Sequence, residues 1–188
     1  ANDNAIKIAR RYTEKTNIIA INKGFHGRTL GTLSLTSSNI ACKYKCQPLI
    51  PGVFFMDPTK KAFDRLLSYH TSPNETAALI LEPVQGEGGI FSLSTEFLKY
   101  VREKCTEYNI ILISDEVQCG MGRTGTWWNV EQKEIIPDIL TFGKGISSGF
   151  PLAGMAMNNK IINQEPGFLG GTYGGNAICS AASIATID

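Results

Sequence analysis

Short and nearly unbroken apolar runs recur along this chain, and the stretches between several of them carry apolar residues at helical spacing. Residues 1–16 place Ala5, Ile6, Ile8, Ala9 and Tyr12 close to one helical face, and residues 17–22 then turn into an apolar run. A helix feeding a strand is expected there. Further strands are expected at 53–56, 77–81, 110–114, 138–142 and 152–157, with helices near 60–69 and 95–108 and a final helical pattern at 177–187. The run at 110–114 reads as a strand buried on both faces. Strands of this kind alternating with helices predict an α/β fold, a mostly parallel sheet with helices on both faces. Neither a repeat, a low-complexity tract nor a Pro/Gly linker divides the chain, so residues 1–188 are expected to form one domain.

Composition narrows the partners. Eighteen basic and 17 acidic residues leave a formal charge of +1, which asks for neither nucleic acid nor an anionic membrane surface. A hydrophobic content of 43% with 19% charged residues is that of a globular domain able to bury a core. Apolar runs stop well short of the ~20 residues of a membrane span. The first residues lack a signal-peptide core, and the chain reads as soluble, in the cytoplasm or the mitochondrial matrix. The 5 cysteines, Cys42, Cys46, Cys105, Cys119 and Cys179, are an odd number without a paired Cys-x-x-Cys, so reduced thiols are expected. Cys42 and Cys46 could supply half a zinc site, but His26 and His70 are the 2 histidines and no second ligand pair is evident, so no metal is expected.

Two charges stand out against this background. The run at 110–114 delivers Asp115, and the run at 138–142 delivers Lys144 between Gly143 and Gly145. Both therefore fall at carboxyl ends of strands, the edge of an open α/β sheet where ligands bind. A lysine for a Schiff base and an acid for a protonated pyridine nitrogen are the two groups that pyridoxal phosphate chemistry needs. The chain also carries, in order, Glu82-Pro83-Val84-Gln85-Gly86-Glu87-Gly88-Gly89, Asp115-Glu116-Val117-Gln118, Gly122-Arg123-Thr124-Gly125 and Gly171-Thr172-Tyr173-Gly174-Gly175-Asn176. Together these resemble the class III (omega) aminotransferases. Phe25-His26-Gly27-Arg28-Thr29, Phe150-Pro151-Leu152-Ala153-Gly154 and Gly170-Gly171-Thr172-Tyr173 are most similar to the branch acting on 4-aminobutyrate.

The resemblance implies the large domain of the type I fold of pyridoxal-phosphate-dependent transferases. It covers the whole chain, which would then be the central cofactor domain without the two end segments that build the family's small domain. It also implies roles. Lys144 carries the cofactor and then moves the proton, while Asp115 lies under the ring nitrogen. Phe25 stacks on the outer ring face, with His26 beside it. Gln118 reaches the phenolic oxygen, and Val117, two residues beyond Asp115, would point to the same side as it if the strand continues, which suits packing against a ring face. Arg28 grips a substrate carboxylate, Glu82 and Glu87 lie near the substrate, and Thr172 reaches the phosphate of the neighbouring subunit in a homodimer. Glu87 would pair with an arginine from the C-terminal part. A second phosphate loop is expected just upstream of Ala1.

Each of these residues has a plainer reading as well. Lys144 could be an exposed loop lysine, Phe25 a core aromatic, His26 a structural histidine, and the Thr172 loop a simple helix start. Asp115 could cap a helix or bind magnesium. The implied activity is transfer of an amino group from an omega-amino acid, 4-aminobutyrate favoured and ornithine or acetylornithine as alternatives, to a 2-oxo acid such as 2-oxoglutarate. A nucleotide hydrolase is the rival class, since 110–116 also suits a magnesium-holding strand, but the Gly-x-x-x-x-Gly-Lys-Ser/Thr loop that it needs is absent. A non-catalytic fragment is the third possibility.

Overall fold

In the computed structural model, residues 1–162 and 165–188 are described. The elements in chain order are α1 (Asn2–Thr13), β1 (Asn17–Ile21), α2 (Leu30–Leu35), β2 (Val53–Met56), α3 (Lys60–Tyr69), β3 (Thr76–Leu81), β4 (Val84–Gln85), β5 (Phe91–Ser92), α4 (Thr95–Glu107), β6 (Ile111–Asp115), α5 (Asn129–Gln132), β7 (Ile139–Phe142), β8 (Gly154–Met157) and α6 (Ala177–Ile187). Six strands form one sheet in the order β2-β1-β3-β6-β7-β8. All its neighbours run parallel except β8, which lies antiparallel on β7. The short β4–β5 hairpin stands apart from it.

Every residue of β3 is buried. Its alternate side chains feed two separate cores, which is why the run shows no polar face. Ala78 and Ile80 join Ile18, Ala20, Ile111, Ile113 and Ile139 beneath Ala5, Ile6, Ile8 and Ala9 of α1. Leu79 and Leu81 face the other way, with Ile19, Ile21 and Leu112, onto Phe63 and Leu66 of α3 and Phe97, Leu98 and Val101 of α4. Helices therefore cover both faces, as the pattern predicts. The connection from β1 to β2 runs through α2, whose Leu35 belongs to the α1 core, whereas the steps to β3, β6 and β7 pass on the opposite face and in the opposite direction. Reversing both face and direction keeps every crossover of one hand. The point of reversal lies between β1 and β3, and the carboxyl ends of the strands beside such a point are where sheets of this kind bind ligands.

Several boundaries move by one to three residues from expectation, and four short elements were not expected. Helix α2 contains Gly31 and Thr32 and is too short to display a period, but all but its first residue are buried. Helix α5 has only 4 residues. Its free N–H groups are met by Glu116, whose Oε2 accepts from Asn129 N at 2.5 Å and whose Oε1 accepts from Val130 N at 2.9 Å. The capping role weighed for Asp115 thus belongs to its neighbour. Asp138, expected as the first residue of a strand, instead sits just ahead of β7, accepting from Arg102 Nη1 at 2.8 Å and from the Leu112 amide at 2.9 Å.

Two outcomes follow for stability. Leu79→Ala, in the centre of a sheet packed on both faces, is expected to cost roughly 2–5 kcal/mol in urea unfolding. Glu116 is fully buried, and that burial pushes its carboxyl above the usual 4.5 despite the capping N–H groups. A buried acid with a raised value favours its neutral form in the folded protein, so the cost of its charge is absent below pH 4.5 and grows as pH climbs toward the raised value. Glu116→Gln should flatten the decline of the urea midpoint above pH 4.5, and an unchanged slope would count against this account.

Candidate active site

The carboxyl edge of the sheet gathers the polar residues that the two cores exclude. Strand β6 ends at Asp115, paired in register with Thr141 of β7, and Lys144 follows β7 by two residues. Asp115 is only 3% exposed. Three donors hold it: Asn2 Nδ2 at 2.7 Å and His26 Nδ1 at 2.8 Å meet Oδ2, and the Val117 amide meets Oδ1 at 3.1 Å. A carboxylate offers about four acceptor positions, so one remains, on Oδ1. Because a carboxylate can only accept, His26 Nδ1 carries hydrogen. His26 Nε2 is buried without a hydrogen-bond partner among the described residues.

The loop after β1 is fixed from several sides. The His26 amide donates to Thr36 Oγ1 at 3.0 Å, and the His26 carbonyl accepts from Asn2 Nδ2 at 2.8 Å. The Phe25 amide donates to Glu82 Oε1 at 2.8 Å, and the Gly86 amide reaches Glu82 Oε2 at 3.3 Å. Glu82 therefore ties the loop after β1 to the loop after β3 through one N–H on each oxygen. Burial pushes its carboxyl upward, a shift partly opposed by His26 and the Phe25 amide. Gly27, at φ 136°, must be glycine: a Cβ there would lie 2.3 Å from Thr32 Oγ1.

Lys144 opens a 3-10 turn, Lys144–Ser147, with φ at 47°. A left-handed conformation costs a side-chain-bearing residue roughly 1–3 kcal/mol, and such outliers cluster at functional sites. The side chain is exposed, and it lines a cavity of about 490 Å³ together with Val84, Gly86, Val117, Gln118 and Met121. Gln118 lies across Gly86, where a Cβ would come within 2.4 Å of its carboxamide. Val117 does not continue β6, as expected for a strand, but belongs to a turn, and the turn points its N–H at Asp115. Arg123 and Thr124, quoted above without a role, line the same cavity.

Asp115, Phe25, His26 and Glu82 are not among the residues lining that cavity. Arg28 is exposed, with its guanidinium 5.9 Å from the centroid of the Phe25 ring. Glu87 is exposed as well, and Thr172 lies in an exposed glycine loop ahead of α6 and does not line that cavity. A second cavity, of about 320 Å³, opens at the amino edge, but its Arg102 and Asp138 are paired with each other. Among the described residues, no group of three or more His, Cys, Asp or Glu could hold a metal, and no helix is long and apolar enough to cross a membrane. Asn2 is the residue that sequence reasoning missed: it looks like an ordinary polar helix start, and only the fold brings it to Asp115.

Known proteins resemble this chain in sequence and in fold. The chain is 41% identical over 199 residues to the 5-aminovalerate aminotransferase DavT of Pseudomonas putida, covering 99% of this chain and 47% of that protein. It is 39% identical over 201 residues to the 4-aminobutyrate aminotransferase GabT of Escherichia coli, covering 97% and 46%. The chain thus spans about half the length of these curated relatives. An amine transaminase from an uncultivated Pseudomonas species, solved in its PLP-bound form, superposes with a TM-score of 0.91 at 29% identity over 99% of this chain and 49% of that one. The profile of the family Aminotransferase class-III matches residues 1–188, and with the mostly parallel sheet and the acid and lysine at its carboxyl edge, the chain belongs to the class III aminotransferases.

Proposed function

We propose that the protein is a pyridoxal-phosphate-dependent aminotransferase, moving an amino group from an omega-amino acid, 4-aminobutyrate favoured, to a 2-oxo acid such as 2-oxoglutarate. The observation that carries this reading is the buried Asp115 carboxylate with one acceptor position left on Oδ1, one strand away from a lysine in a left-handed conformation. That single position suits one ring N–H, so the residues present fit the cofactor. When bound, pyridoxal phosphate supplies an aldehyde for the amine and a cationic ring that takes up the electron pair of the broken C–H bond.

The chain's own residues divide the remaining work. Lys144 Nζ anchors the cofactor and, once released, takes and returns the substrate proton. Asp115 keeps the ring nitrogen protonated, while His26 holds Asp115. Val117 and Phe25 bound the two ring faces, and Gln118 donates to the phenolic oxygen. Arg28, exposed at the rim, offers a fixed charge to a substrate carboxylate. Glu87 stands near it, and Glu82 holds the Phe25 and Gly86 loops in place. In this reading residues 1–188 act as the cofactor domain, with the small domain contributed by other parts of the protein.

Thr172 reaches the phosphate in the neighbouring subunit of a homodimer. The support for this is the exposure of its loop and of three apolar side chains, Ile178, Ile184 and Ile187, on the adjoining helix α6, surface of the kind that other subunits cover.

Borohydride reduction of protein mixed with pyridoxal phosphate should fix label on Lys144, together with a visible absorption band. Lys144→Ala should lose label and turnover while keeping the thermal midpoint, and retained turnover would overturn the assignment. Asp115→Ala should weaken cofactor affinity about 10- to 100-fold, the size of a lost charge-assisted hydrogen bond. A panel of 4-aminobutyrate, 5-aminovalerate, ornithine and acetylornithine then identifies the donor.

A further inference from the structure

We infer that Asn2 is a positioning residue for Asp115, its carboxamide locked by Thr141 so that Oδ2 is saturated and Oδ1 alone is left to accept a ring N–H. The inference rests on the role given to Asp115 above. Asn2 is 7% exposed, in the first turn of α1, and its hydrogen-bonding groups all point inward. One N–H of the amide goes to the His26 carbonyl at 2.8 Å and the other to Asp115 Oδ2 at 2.7 Å. The Asn2 Oδ1 accepts from Thr141 Oγ1 at 2.7 Å. The His26 carbonyl and the Asp115 carboxylate can only accept, which turns the NH₂ toward them, and the Thr141 hydroxyl, able to donate or accept, then donates to Oδ1 and holds the carboxamide there.

A capping or solvated asparagine would not show this pattern. With His26 Nδ1 also on Oδ2, that oxygen has both acceptor positions filled, and the carboxyl plane is pinned at three points by Asn2, His26 and the Val117 amide. Without the carboxamide, Oδ2 regains an open position and the carboxylate is free to turn about its last torsion. The direction of Oδ1 is then no longer set. Asn2 acts only through Asp115, so it is not itself a catalytic residue.

The test uses the holoenzyme reconstituted with pyridoxal phosphate labelled with ¹⁵N in the ring, together with Asn2→Leu, Thr141→Val and Asp115→Asn. Asn2→Leu is expected to lower cofactor affinity about tenfold, the loss of one hydrogen bond to a charged group. Its ring-nitrogen resonance should move toward the unprotonated position. Thr141→Val, which removes only the hydroxyl, should shift both in the same direction by less, and it decides the matter if the Asn2 variant does not fold. A lowered thermal midpoint of the apoprotein with parental affinity and parental resonance would make Asn2 merely structural and overturn the inference. Asp115→Asn separates the two layers. If it changes affinity and resonance while the Asn2 and Thr141 variants do not, only this inference fails; if it changes neither, the reading of Asp115 fails and takes this inference with it.

Discussion

Asp115 ends a strand that is buried on both faces, and a carboxylate in such a place persists only because three donors converge on it from separate parts of the chain. Burying an isolated charge costs several kcal/mol or more unless it is hydrogen-bonded. The donors come from helix α1, the loop after β1 and the turn after β6, so satisfying one side chain requires the helix, the sheet order and two loops to be in register together. The packing of Ala5, Ile6, Ile8 and Ala9 onto β1, β3 and β6 brings Asn2 to that point. Core and site are therefore one problem in packing.

Three acidic residues at this edge are all buried and differ in function through their partners. Glu116 accepts the free N–H groups of α5, Glu82 staples two loops through main-chain N–H groups, and Asp115 is held by two side chains, Asn2 and His26, besides the Val117 amide. The thiol of Cys119, beside Glu116, is pushed up to about 12 by burial and then by that carboxyl, which keeps it unreactive in the wall of the cavity. The kind of donor, main-chain N–H for the two glutamates and mostly side chains for Asp115, separates the three acids.

Much of this was legible in the sequence because the apolar runs are unusually clean. The strands at β2 and β3, and the placement of Asp115 and Lys144 at carboxyl ends, follow from run length and the Gly-rich turns after them. The short elements were not legible. Helix α2 carries a glycine, α5 spans one turn, and the β4–β5 hairpin has two residues per strand, so none of them shows a period. The two N–H groups that Glu82 holds, and the turn that aims the Val117 amide at Asp115, leave no mark in the local pattern. Asn2 carries no local signal at all, because its partners lie 24, 113 and 139 positions away.

Those separations bear on how the protein comes to be made. Closing contacts across such distances costs chain entropy that local helices do not incur, and parallel sheets form slowly for the same reason. On a growing polypeptide, α1 emerges early, but the hydroxyl that orients its asparagine belongs to β7, near the far end of the sheet. Until β7 docks, a strand edge and an asparagine without its hydroxyl partner coexist in a chain otherwise rich in apolar runs. That interval is the one in which a nascent chain of this design depends most on molecular chaperones.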